Sequence, residues 1–173
     1  MRWFNHMLIA GSTTAVIAPP LVPVAILGST APDWLEWISK KLGNPIEHRT
    51  STHIVLYWAI ALLIGLWLGD SRGILAAFAY GGLTHVMADA LTIMGVPLTP
   101  FSDRRWNFMG GRLRTGGSGE FIVAGCIAVV CFFLAGHFYT QSEFLPFFYN
   151  WGELYEEGLI DAYEWKKNRF NFI

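Results

Sequence analysis

The sequence predicts an all-α integral membrane protein. It should have three spanning helices, an N-terminal segment that either re-enters as a hairpin or makes a fourth span, and an interfacial C-terminal tail. Three observations predict this. Hydrophobic residues make up 53% of the chain and charged residues only 14%, against about 25% charged in a soluble domain. Charge-poor stretches are long: between Trp3 and Pro32 only His6 is ionisable, residues 54–69 carry no charge or histidine, residues 73–102 hold only His85 and Asp89, and residues 121–142 hold only His137. A hydrocarbon core of about 30 Å needs roughly 20 such residues. The few ionisable residues near these stretches also gather at one end of them.

Taken in order, the first stretch is divided by Pro19 and Pro20, which remove a backbone donor and stop a helix. The segment is therefore one kinked span or a re-entrant hairpin, the latter tolerated at membrane depth only where other helices bury it. Arg2 followed by an apolar run has the outline of a secretory leader, but Pro32 directly after a cut at Ala31 makes a poor cleavage site, so the segment is expected to stay. Residues 32–52 read as a loop, in which Thr30, Pro32 and Asp33 form a helix-starting cap. A second helix should begin near His53 with Ser51 or Thr52 as its cap, and turn at Gly69, Asp70 and Ser71. A third runs over about 73–94 and stops at Gly95, with Pro97 and Pro100 beyond. Residues 95–118 form a polar, Gly-rich loop, and a fourth helix follows over about 119–139. Residues 1–140 make up the membrane domain. Residues 141–173, rich in Trp, Tyr and Phe among charges, suit a helix lying in the interface.

Alternating spans put the 32–52 and 95–118 loops on one face. That face holds Lys40, Lys41, Arg49, Arg104, Arg105, Arg112 and Arg114, so the positive-inside rule assigns it to the cytoplasm. The net charge of −1 and the lack of a basic, aromatic-studded patch leave nucleic acid without a docking surface. Cys126 and Cys131 lie inside an apolar run and read as packing residues.

On the same face fall His48, His53, Asp33, Glu36 and Glu120, with His85 and Asp89 approaching along the third helix and His6 joining if the first segment is a hairpin. His85 and Asp89 are four apart and share a helix face. Such a pair can chelate a metal, or let the carboxylate orient the imidazole, and ionisable groups in a membrane helix face its interior. Each motif also has a plainer reading: His85–Asp89 as a structural hydrogen-bonded pair, His48–Arg49 as a solvated loop, Asp33 as a helix cap, and Ser118 with Glu120 as the capped start of the last helix. Nitrogen and oxygen donors without thiolate favour zinc, manganese or iron. Their number leaves room for two ions, the arrangement that hydrolyses phosphoesters elsewhere.

The segments "NHMLIAG", "GSTAPDWLEW", "HRTSTH", "GGLTHVMADALTIMGVPLTPF" and "TGGSGE", in this order over residues 5–121, resemble the YdjM family of bacterial and archaeal inner-membrane proteins described as metal-dependent hydrolases. Two positions depart from the family pattern: Asn5 stands where Thr is usual, and Glu36 where the second carboxylate is usually Asp. The resemblance implies that His6, Asp33, Glu36, His48, His53, His85, Asp89 and Glu120 occupy the family's polar positions. The sequence thus predicts a hydrolase of a bacterial or archaeal cytoplasmic membrane, acting on a phosphoester or similar bond in a lipid-like substrate. His6, Asp33, Glu36, His48, His53, His85 and Asp89 are expected to ligate zinc or manganese. Glu36 or Glu120 would act as general base, and Arg49, Arg112 and Arg114 would hold an anionic head group. Two rivals are a non-catalytic protein stapled by its metal and a metal-ion carrier. The apolar last helix, with nothing charged after Glu120 until its end, argues against a path through the bundle.

Overall fold

Helices dominate the computed structural model, which describes residues 1–44, 49–68, 73–102, 104–138, 158 and 161–163. Among these are five α-helices: α1 (Trp3–Ile17), α2 (Val22–Lys41), α3 (Val55–Trp67), α4 (Ile74–Ala90) and α5 (Ser118–Phe138). Only α5 is long and apolar enough to cross a membrane, over Ser118–His137; α3 and α4 are apolar but shorter. The expected turn at 69–72 and nearly all of the 141–173 tail lie outside the described residues.

Pro19 and Pro20 produce a reversal. A 3₁₀ turn, Pro19–Leu21, links α1 to α2, and the two helices run antiparallel. Trp3 Nε1 at the start of α1 donates to Asp33 Oδ2 far along α2, while Gly11 lies against Val22 and Ile26. The first segment is thus a helical hairpin whose ends return to one side.

Residues 32–41 are helical, which corrects the expected 32–52 loop. Pro32 sits in the interior of α2, and the presumed cap does not form: Thr30 Oγ1 donates back to the Leu27 carbonyl at 2.9 Å and Ser29 Oγ to that of Ile26 at 2.8 Å. The second predicted helix likewise begins later. His53 closes a short 3₁₀ turn (Ser51–His53) and α3 starts at Val55 without a side-chain cap, because Thr52 Oγ1 is drawn to Glu36 at 3.0 Å. The third helix ends at Ala90, four or five residues early. Thr92 Oγ1 donates to the Asp89 carbonyl, and the chain leaves the helix to bridge Leu113. The 95–118 segment then carries a two-stranded ribbon, β1 (Val96–Pro97) against β2 (Arg105–Trp106).

Small residues let α2 and α4 come into backbone contact. A Cβ at Gly28 would meet the Phe78 carbonyl oxygen at 2.1 Å, and one at Gly81 that of Ala25 at 2.1 Å. Glycines at such a crossing are how helices approach closely where no water drives them together. On the other side, Trp58 of α3 fills the space over Gly82 and anchors the Ser51–His53 turn through Nε1 to the Thr52 carbonyl at 2.8 Å. α5 packs alongside α1 in the same direction: the Arg2 guanidinium lies 5.7 Å from the Phe121 ring centroid, and Ile9 and Ala124 share one core cluster with Met1 and Ala88.

Candidate metal centre

The α2–α4 contact sets the site. Gly81 is one turn before His85, so the crossing that seats Gly81 on Ala25 brings the His85 ring against the next turn of α2. His85 Nδ1 lies 2.6 Å from the Ser29 carbonyl oxygen. A carbonyl can only accept, so Nδ1 carries the proton and, in the neutral ring, Nε2 presents its lone pair.

His53 is oriented in the same manner by a carboxylate. Its Nδ1 is 2.9 Å from Glu36 Oε1, which also accepts from the Arg49 backbone N–H at 2.9 Å and from Thr52. His53 Nε2 then points inward, 3.2 Å from His85 Nε2. Two nitrogen lone pairs at that distance repel unless a proton or a cation lies between them. Acidic oxygens stand on either side: Asp33 Oδ1 at 3.4 Å from His53 Nε2 and 3.7 Å from His85 Nε2, and Asp89 Oδ2 at 3.8 and 3.7 Å. Tetrahedral zinc with ligand bonds of about 2.0–2.1 Å separates its ligand atoms by about 3.3–3.4 Å, so this donor set fits a small divalent ion. His6 stacks on His85 with centroids 3.7 Å apart and 13° between planes. It forms a second ligand-spaced triad with His85 and Asp89, beside that of Asp33, His53 and His85.

Asp89 is divided between two tasks. Oδ2 faces the imidazoles, while Oδ1 takes Arg49 Nη2 at 2.8 Å and the Met1 amino group. His53, His85 and Asp89 are 0%, 1% and 1% exposed, whereas the Asp33 side chain is 17% exposed and held by the Trp3 indole. The cluster therefore opens toward Asp33 and the start of α1. Burial disfavours the His53 imidazolium, but the adjoining carboxylates of Asp33 and Glu36 outweigh it and raise its pKa above the ordinary histidine value.

The structure thus brings together His6, Asp33, Glu36, His53, His85 and Asp89 from α1, α2, the turn before α3, and α4. Glu36 touches His53 from behind, on the ring edge away from the cluster. His48 lies outside the described residues. Arg49 is buried, 3% exposed, with Nη1 on Thr92 Oγ1 at 2.9 Å and Nη2 on Asp89. Its backbone adopts φ +60, a left-handed conformation costly for a non-glycine residue. Arg112 and Arg114 are exposed. Glu120 is fully buried but joins neither triad. Sequence reasoning missed the Ser29 carbonyl, Thr52, Thr92 and Trp3. A backbone acceptor leaves no signature in residue type; Thr92, one turn past Asp89 on the same face, was the one traceable signal.

The family model described as YdjM inner membrane protein matches residues 1–145. The chain belongs to the YdjM family. The inner membrane protein YdjM of Escherichia coli strain K12 is 36% identical over 104 residues, 51% of this chain and 52% of that protein, and the Shigella flexneri protein of the same description gives the same figures. The chain spans about half the length of the curated relatives it matches. No solved structure matches it. The YdjM match extends past α5 and includes every residue of the histidine–aspartate cluster.

Proposed function

We propose that this YdjM-family chain is a multi-pass protein of a bacterial inner membrane that hydrolyses a phosphoester or similar bond in a lipid-like substrate. A divalent ion, zinc or manganese, would be held by His53, His85, Asp33 and Asp89, with His6 beside it. The observation that carries this reading is the 3.2 Å approach of two imidazole Nε2 atoms whose Nδ1 protons are committed elsewhere. α5, α3 and α4 would be the three spans and α1–α2 the re-entrant hairpin, with the cluster near the cytoplasmic boundary. The E. coli relative's description as an inner membrane protein supports that location.

A bound ion would supply Lewis-acid polarisation of the scissile group. The chain's own residues supply the rest. Glu36, with three donors already on it, is better suited to orienting His53 than to the base role expected from sequence. Asp33, the accessible carboxylate, faces incoming substrate beneath the Trp3 indole. Arg49 balances Asp89 from inside the fold, which leaves Arg112 and Arg114 to meet an anionic head group. The test is a hydrolysis screen of lipid phosphoesters with protein in vesicles, before and after chelation. Turnover should vanish with chelator and return with zinc or manganese, and Asp33→Asn should lower it by about 100-fold or more.

A second reading, a closed metal staple, draws on the near-complete burial of His53, His85 and Asp89. It predicts metal-dependent thermal stability with no turnover on any substrate.

A further inference from the structure

Helices α1, α2 and α5 border a groove of about 610 Å³, inside the range of roughly 300–1,000 Å³ found for small-molecule sites. α1 contributes Phe4, Met7, Gly11 and Ala15, spaced so that they form one stripe along the helix. Val22 and Ile26 of α2 stand on one side, and Ala128 and Ala135 of α5 on the other. Pro19, in the turn that closes the hairpin, lines the far end. Ile26 lies against Gly11. Among the described residues, no part of α2 beyond Ile26 and no part of α5 before Ala128 lines the groove. The end at Phe4, which is 59% exposed, is therefore the open one. Its neighbour Trp3, in the same first turn of α1, donates to Asp33, the accessible carboxylate of the histidine cluster. The groove thus starts at the turn of α1 that touches the candidate metal centre and runs away from it.

The lining suits hydrocarbon and little else. Among the described lining residues Ser12 alone carries an oxygen or nitrogen in its side chain, and its Oγ donates to the Ile9 carbonyl at 3.2 Å. A sugar, a nucleotide or a charged group would lose its hydrogen bonds to water there without replacement. From Phe4 to Ala15 the helix rises about 16 Å, close to half of the roughly 30 Å hydrocarbon core. With α1 and α2 entering as a hairpin from the boundary that holds the cluster, a lipid of that leaflet runs in the same sense as α1. Its head group then lies beside Trp3 and its methyl end at Pro19. Arg2, exposed at that boundary, offers an anionic head group a cation. We infer that the groove seats one acyl chain of an anionic phospholipid substrate and so presents the polar end of that lipid to Asp33. That the seated lipid is a substrate rests on the hydrolase reading above; that a chain is seated does not.

The test is photolabelling of the full chain in phosphatidylethanolamine–phosphatidylglycerol vesicles. A trace of phosphatidylglycerol carries a diazirine at the end of its palmitoyl chain, chelator is present throughout, and labelled residues are found by mass spectrometry. Label should concentrate at the far end of the groove, around Ala15, Pro19 and Ala135, above the level on Leu63 and Leu66, which are exposed on α3. Ala15→Phe and Ala128→Phe fill the groove from different helices, and each should cut that label by about tenfold or more. Val129→Phe, at an exposed position outside the groove, should label like the parent, and so should His85→Ala. Thermal melting of each variant decides which are scored, and loss of label in either groove variant that melts like the parent supports the seat. Label no denser in the groove than on α3 would overturn it and point to another occupant, such as a second copy of the chain. Parent-level label in a folded Ala15→Phe and a folded Ala128→Phe would overturn it as well. Groove label with no turnover of any lipid leaves the seat standing and removes the hydrolase reading. Chelator-sensitive turnover with no groove label does the reverse.

Discussion

His53 meets carboxylates on both edges of its ring, Glu36 at Nδ1 and Asp33 across Nε2, and this sets how the site answers pH. The raised pKa means that a proton competes with metal for Nε2 at a pH above the ordinary value of about 6.5. Zinc affinity should therefore fall as pH descends through that raised value. In the metal-free chain the sign is opposite: protonated His53 stabilises the fold below about 6.5, and the contribution fades as pH rises through the folded-state pKa. Glu36→Gln should move the zinc-binding midpoint to lower pH and weaken zinc by about 10–100-fold at neutral pH, measured by titration against a competing chelator. A midpoint that stays fixed in Glu36→Gln contradicts the orienting role. At this scale the sequence pointed to side chains that the fold brings together, because an ionisable group in an apolar run has few reasons to be there. It was silent on which nitrogen faces the ion. That depends on the Ser29 carbonyl and on Glu36 approaching from behind, and neither can be read from residue type.

Helix α2 carries Ser29, Asp33 and Glu36 on consecutive turns, and α4 carries Gly81, His85 and Asp89 in the same way. The two lines of functional groups meet because Gly28 and Gly81 remove the side chains that would hold the helices apart. Gly81→Val should cost about 1–3 kcal/mol or more through overpacking and should also weaken zinc binding, since moving α4 away takes His85 from Ser29. Chemical denaturation and zinc titration check the two effects together; a variant destabilised but with unchanged zinc affinity would show that the crossing does not position His85. The helices α3, α4 and α5 were legible as charge-poor runs to within a few residues. α2 was not: "STAPD" has the pattern of a helix start, and only the continuation of helix through Pro32 shows that Ser29 and Thr30 bond backward to Ile26 and Leu27. Pro19 and Pro20 were legible as a break, and contact from Trp3 to Asp33 shows that the break folds α1 and α2 into an antiparallel pair.

Across the whole molecule, one end of the bundle gathers donors from α1, α2, the turn before α3, and α4, from positions 6 to 89 of the chain. Arg49 ties these pieces together with a strained backbone, its N–H on Glu36 and its guanidinium on Asp89 and Thr92. Strain of this kind persists where surrounding contacts over-determine it. Convergence at one face was legible from alternation of apolar and polar segments; the burial of Arg49 inside the cluster was not, because a loop arginine beside histidine reads as solvated. The most direct test is the zinc content of the purified full chain beside His85→Ala and Asp89→Ala, each checked for intact folding by circular dichroism. Zinc should co-purify with the parent and fall to background in both variants. Equal zinc in all three folded proteins would contradict the histidine–aspartate centre.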